Sequence, residues 1–233
     1  MALYNGQSRL RDVIFSHPAV IPVINRLGVR LGVGDGTIAD SCRRLGIDSS
    51  FFLAVVNTYI NDDYFPEDGS SFGFRETVDY LMKTDNDYLR LQIPNIERHL
   101  DMLMTRSRGE NNLYLLRGFF HELKRELESC IAADIENLFP VLLGEDRGEV
   151  SYSGLLEGAR HEGVEEKIDD LLSFFVMHLK GEYEPNLCVA VVTAIFALRK
   201  DIRQNNRIRS RILLPQAERL FGNLSSNENG IRK

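Results

Sequence analysis

Four long segments of this chain repeat apolar residues at helical spacing, and each places a polar or charged side chain on its own apolar face. The segments run roughly over 76–106, 110–142, 153–181 and 186–221. In the first the stripe reads Val78, Leu81, Asp85, Leu89, Ile93, Ile96. In the second it reads Phe120, Leu123, Leu127, Cys130, Asp134, Leu138. The third carries His161, Val164, Ile168, Leu171 and Phe175. The fourth carries Val191, Ile195, Leu198, Ile202, Asn205, Arg209 and Ile212. Spacing of i, i+3, i+4 marks the face of a helix that looks into a core. Four such helices joined by short turns make an up-down bundle the economical fold. No stretch alternates as a strand does, so the fold class is all-α.

The division of the chain follows from composition. Residues 1–61 hold shorter helical patterns, residues 62–75 (DDYFPEDGSSFGFR after Asn61) are rich in Asp, Pro, Gly and Ser without period, residues 76–222 carry the long helices, and 223–233 read as a flexible tail. Within the first unit Pro18 opens a helix to about Arg26. The glycine-rich Gly28–Gly36 makes a turn. Thr37 caps a helix through Leu45 that Gly46 stops, and Asp48 or Ser49 caps the apolar run Phe51–Ile60. Pro94 lies inside the first long helix and should kink it.

Burying Asp85, Cys130, Asp134, His161, Asn205 and Arg209 is costly unless they pair with one another or hold a metal. Cys130 with Asp134, and Asn205 with Arg209, are i, i+4 pairs, so all four helices point polar groups at one level of the core. Di-iron sites are built in helical bundles from such facing positions.

The text NRLGVRLGVGDGTIADSCRRLGIDSSFFLAVVN resembles the N-terminal domain of the ScdA type. VDYLMKTDNDYLRLQIPNI, ELESCIAADIENLFP, RHEGVEEKIDDL and DIRQNNRIRSRILLP resemble, in order, the four helices of a hemerythrin-like (HHE) domain. The resemblance covers nearly the whole chain and is to the iron–sulfur cluster repair di-iron proteins, the RIC or ScdA family. It implies a small helical domain of about 60 residues ahead of a hemerythrin-like bundle. It also implies a di-iron site with one His from each helix and a Glu one turn after the His on the second and fourth. Carried over position by position, those places hold Asp85, Cys130 with Asp134, His161, and Asn205 with Arg209. One His of four is present and one carboxylate position is a cation. The cysteine pair that many members carry at the glycine-rich loop is absent from LGVGDG; Cys42 follows in the next helix, as a small core residue.

We therefore expect a degenerate site. Arg209, whose planar fork matches carboxylates and keeps its charge, should form a buried ion pair with Asp134, Asp85 or both. The expected function is a non-catalytic binding or regulatory module in stress response, with no cofactor and no enzyme activity. The alternative is the repair of iron–sulfur clusters damaged by oxidation or nitrosation, which needs iron. A third reading is a redox sensor, using a single metal on His161, Asp134, Cys130 and Asp85, or a Cys130 thiol made acidic by Arg209. His99 and His121 are substitute ligands only if the helix register shifts; His178 reads as a surface histidine.

The remaining signals bound partners and place. A net charge of −6 gives no global attraction to nucleic acid. TIADSCRRLGIDSSFFLAVVN resembles a helix-turn-helix, but Phe51, Phe52, Leu53, Val55 and Val56 are too apolar to read bases. Arg199, Lys200, Arg203, Arg207 and Arg211 make a basic stretch that is a solvated face or meets an acidic partner or nucleic acid, the last disfavoured by the acidic overall charge. Three scattered cysteines, no apolar leader and no run near ~20 apolar residues predict a cytoplasmic protein off the membrane. The apolar N-terminal helices should dock on the long helices or on a second copy, so a homodimer or a complex with a partner protein is expected.

Overall fold

In a computed structural model, residues 3–66, 72–107, 111–144 and 161–219 are described. The expected tail, the centre of the expected linker at 67–71 and the expected start of the third long helix at 153–160 lie outside them. The described residues are helical, with two isolated bridges, Arg9 with Thr37 and Asn111 with Gly181, and no strand. None of their helices is long and apolar enough to cross a membrane.

Four short helices come first: α1 (Leu10–Ser16), α2 (Ile21–Arg26, led in by a 3-10 turn at Pro18–Val20), α3 (Ile38–Leu45) and α4 (Ser49–Ile60). Their ends follow local chemistry. Thr37 and Asp40 form a reciprocal capping box on α3, and Gly46 ends it at φ 67°, a conformation other residues adopt only under strain. Asp48 accepts from the backbone N–H groups of Ser50 and Phe51 and so caps α4.

Four long helices follow. Helix α5 spans 74–106, α6 spans 113–143, α7 runs from Glu162 to His178 and α8 spans 185–219. In contact order α5 lies on α6, α6 on α7, α7 on α8 and α8 on α5. The turn after α5 meets the turn after α7, where Asn112 N–H donates to Lys180 O and Asn112 Nδ2 to His178 O, so consecutive helices run in opposite directions. Helix α5 begins two residues earlier than its polarity suggested, because Glu76 caps Gly73 and Phe72 is buried.

Proline shapes three of the long helices in the same way. A π-helical turn occupies Tyr88–Gln92, Asp134–Leu138 and Arg209–Leu213, and Pro94, Pro140 and Pro215 each stand six residues after its first residue. A proline lacks the N–H for an i→i−4 bond and its ring crowds that carbonyl; a turn widened to i→i+5 removes both conflicts. A wider turn also advances the inward face by about one residue. Here the buried positions run Asp85, Tyr88, Ile93, with the five-residue step across the widened turn; Tyr88 is buried where Leu89 was expected and Leu89 is only half-buried. A fourth π-helical turn, Phe174–His178, closes α7 without a proline.

Apolar side chains form two clusters. One joins the N-terminal helices to Val78, Tyr80 and Leu81 of α5, Leu138 and Phe139 of α6, and Ile208, Ile212 and Leu213 of α8. The other fills the far end of the long helices, from Tyr88, Ile131, Val164 and Ile202 outward. Phe51, Phe52, Val55 and Val56 are all buried in the first cluster, so the apolar helix of the helix-turn-helix-like text is spent within its own chain. Because that cluster is shared, Phe52→Ala should lower the stability of the whole described molecule by about 3–5 kcal/mol in one urea transition. Two separated transitions would show that the N-terminal helices fold independently.

Candidate functional site

Between the two apolar clusters lies a layer of buried polar side chains, set by the widened turns. Asp134 and Arg209 are each the first residue of such a turn, and Asp85 stands one helical turn before Tyr88. Arg209 is 2 % exposed. Its Nη1 is 2.7 Å from Asp134 Oδ2 and its Nη2 donates to Asp85 Oδ1 at 3.3 Å. His161 Nε2 lies 2.9 Å from the same Asp134 oxygen. The guanidinium thus occupies the space between the two carboxylates. Asp85 Oδ2 is buried with no hydrogen-bond partner among the described residues.

His161 is reached differently from the others. Among the described residues it is the one non-glycine with positive φ, at 48°, and it stands just before Glu162–Ser173 rather than inside the helix. The left-handed residue breaks the expected run of the third stripe while leaving the imidazole buried against Asp134.

Charge balance in the layer follows from burial. Desolvation pushes the Asp85 carboxyl up to about 7; Arg209 pulls it down and Asp134 pushes it further up. His161 is held below the ordinary histidine value by burial and by the Arg209 charge, against the pull of Asp134. Arg209 is raised: burial lowers it, but the fields of Asp134 and Asp85 outweigh that. At neutral pH the layer therefore holds a charged Arg209, a neutral His161 imidazole and an Asp85 carboxyl near its midpoint.

Cys130 departs from expectation. It is half-buried, and Ile131 takes the inward position of the stripe. Burial, with Glu126 and Asp134 adding to it, drives the thiol up to about 11 despite Arg209, so the neighbouring cation does not make it acidic. Cys42 is buried in the N-terminal cluster. His99 and His121 stand 14 and 13 residues along their helices from Asp85 and Asp134, about 20 Å at 1.5 Å per residue, and neither belongs to the layer. His99 Nδ1 is engaged with Asn95 O. Exposed His178 lies beside the Phe174 ring.

Asn205 belongs to a second network that sequence reasoning missed. Its centre is Asp201, 4 % exposed on α8. Arg26 of α2 grips it with two bonds, Nη1 to Oδ1 at 3.1 Å and Nη2 to Oδ2 at 2.5 Å. Tyr59 OH of α4, Gln92 Nε2 and Asn205 Nδ2 also donate to it, at 3.0, 3.1 and 3.1 Å. Arg26 Nε binds Asp87 at 2.9 Å, and its guanidinium lies over the Tyr88 ring. Tyr80 OH donates to Asn205 Oδ1, and Asn205 Nδ2 donates to Tyr88 OH. The one available signal was the i+4 series Asp201, Asn205, Arg209 on α8, and a lone Arg26 among Val23, Ile24, Leu27 and Val29.

Comparison against protein-family models, curated proteins and solved structures gives no match.

The donor set does not fit a pair of iron ions. Among the described residues no three His, Cys, Asp or Glu side chains converge as metal ligands, and a permanent cation lies between the two carboxylates. The basic stretch of α8 is likewise matched within the chain. Arg199 is paired with Asp169, and Arg203 with Glu165 and Asp169.

Two outcomes follow. Arg209→Met strands Asp85 and Asp134 and should cost about 3–5 kcal/mol in urea unfolding, whereas Arg209→Met combined with Asp85→Leu and Asp134→Leu should recover most of that loss. Asp85 has a folded value near 7 against 3.8 unfolded, so the folded state holds the extra proton between those values. Its contribution to stability is full below the lower value and falls as pH rises toward the higher. The stability difference between wild type and Asp85→Asn should accordingly tilt against wild type from about pH 4 to 7, and a flat difference would contradict it.

Proposed function

We propose that this chain is a member of the RIC or ScdA family with a hemerythrin-like up-down four-helix bundle behind an ScdA-like N-terminal domain. In it the metal pair has been replaced by the protein's own cation, and it acts as a non-catalytic binding or regulatory module in stress response. The observation that carries the reading is the position of Arg209, 2.7 Å from Asp134 and within hydrogen-bond reach of Asp85. A guanidinium there balances carboxylates that a metal would otherwise balance, and it remains charged at every physiological pH. Helices whose buried carboxylates are neutralised internally need no metal to close their core. The expected cytoplasmic setting and pairing with a partner protein or a second copy belong to the same proposal.

The test is elemental. Protein produced with added iron and purified without oxygen should contain far less than one iron per chain, and Arg209→Gly should take up one divalent ion, measured with Zn²⁺ by native mass spectrometry. The cavity left by the side chain would then be faced by Asp85, Asp134 and His161. About two irons per wild-type chain would overturn the reading in favour of cluster repair. Failure of folded Arg209→Gly to bind zinc would remove the claim that Arg209 stands in a cation's place.

A further inference from the structure

The outer face of α8 carries arginines at every fourth position, Arg199, Arg203, Arg207 and Arg211. Like charges at i, i+4 repel mildly, and neighbouring groups relieve that repulsion along the row. The two halves are neutralised in different ways. Arg199 and Arg203 meet carboxylates of the adjoining α7. Arg207 and Arg211 instead clasp the last turn of α4 and the segment that leaves it.

That clasp has the geometry of peptide recognition. Arg207 Nη1 donates to Thr58 O at 3.2 Å and pairs with Asp62 Oδ1 at 2.5 Å. Arg211 donates to Tyr64 O and to Asp62 O, both at 2.6 Å, and its guanidinium stacks 4.1 Å from the centre of the Phe65 ring. Backbone carbonyls, one carboxylate and one aromatic ring are the groups by which an arginine pair reads an acidic chain. Asn61 is buried and anchors the segment to α4, but beyond it little is gained from burial: the Asp62 side chain is 79 % exposed and Phe65 is 67 % exposed. Exposed ion pairs hold weakly, and a segment with few buried apolar contacts opens readily.

We propose that Arg207 and Arg211 form a docking site for an acidic, aromatic-bearing segment of a partner protein, and that residues 61–66 occupy this site in cis. The occupant's own sequence, Asn-Asp-Asp-Tyr-Phe-Pro, is the template for the partner's: adjacent carboxylates followed by an aromatic residue. The cis segment lowers the apparent affinity for the partner by holding the site filled. This inference is independent of the metal question, since neither arginine belongs to the buried layer.

The probe is a fluorescein-labelled peptide of residues 60–66, titrated into the full chain by anisotropy at low ionic strength. Asp62→Ala with Phe65→Ala loosens the cis segment through two exposed side chains and should leave the helical circular dichroism and melting curve intact. Wild type should bind weakly and the loosened variant about tenfold more tightly, with affinity falling as salt rises. Adding Arg207→Gln and Arg211→Gln to the loosened variant should abolish binding. Equal affinity of wild type and loosened variant would overturn the cis-occupancy, and binding that survives loss of both arginines would overturn the site. A short oligonucleotide that binds the loosened variant more tightly than the peptide does would overturn the choice of a protein partner.

Discussion

A guanidinium held between two buried carboxylates governs the middle of this molecule. Arg209, Asp134 and Asp85 come from three different helices and lie where the two apolar clusters meet. Removing Arg209 would leave two carboxyl groups facing each other in a desolvated place, which is far more costly than never having buried them. Geometry at this level is correspondingly restricted. Helices α5, α6 and α8 must present these residues at the same height, and the π-helical turns at Tyr88, Asp134 and Arg209 adjust their phase there.

Helix α8 is the element through which the other constraints pass. Its inward face carries Asp201, Asn205 and Arg209 one turn apart, and its outer face carries Arg203, Arg207 and Arg211 at the same interval. Asp201 fastens the N-terminal helices through Arg26 and Tyr59, Asn205 holds the Tyr80 and Tyr88 hydroxyls, and Arg209 joins α5 to α6. The two buried networks differ in how completely they are satisfied. Among the described residues Asp201 receives five donors, whereas Asp85 keeps one oxygen without a partner. The first has the character of a structural fastening. The second leaves a carboxyl whose protonation is balanced near neutrality.

Much of the helical organisation was legible in the residues. The capping signals Thr37 and Asp48 and the stop at Gly46 mark the short helices because they are local chemistry. The long stripes mark their helices because periodicity survives without knowledge of neighbours. Two stripe positions were misread by one residue, because i+3 and i+4 both lie on a helix's inward face and period alone does not choose between them. Tyr88 is buried where Leu89 was expected, and Ile131 took the inward place that Cys130 was expected to hold just before the turn at Asp134. His161 was placed inside a helix because a left-handed backbone leaves no trace in a hydrophobic stripe. Arg26 and Asp201 went unseen because they are 175 residues apart and each alone looks like an ordinary surface charge.

The sequence by itself determined that the described chain is helical, where most of its helices begin and end, and that opposite charges occupy inward positions 85, 134 and 209. These are properties of single segments, read from caps, prolines and period. Only the tertiary structure decided which charges meet. It set Arg209 between Asp85 and Asp134, Arg26 on Asp201, and residues 61–66 under Arg207 and Arg211. The physical reason is that a buried charge is tolerated through partners from other elements, and the strength of that interaction depends on ångström-scale distance and on desolvation. Neither quantity exists until the helices are packed.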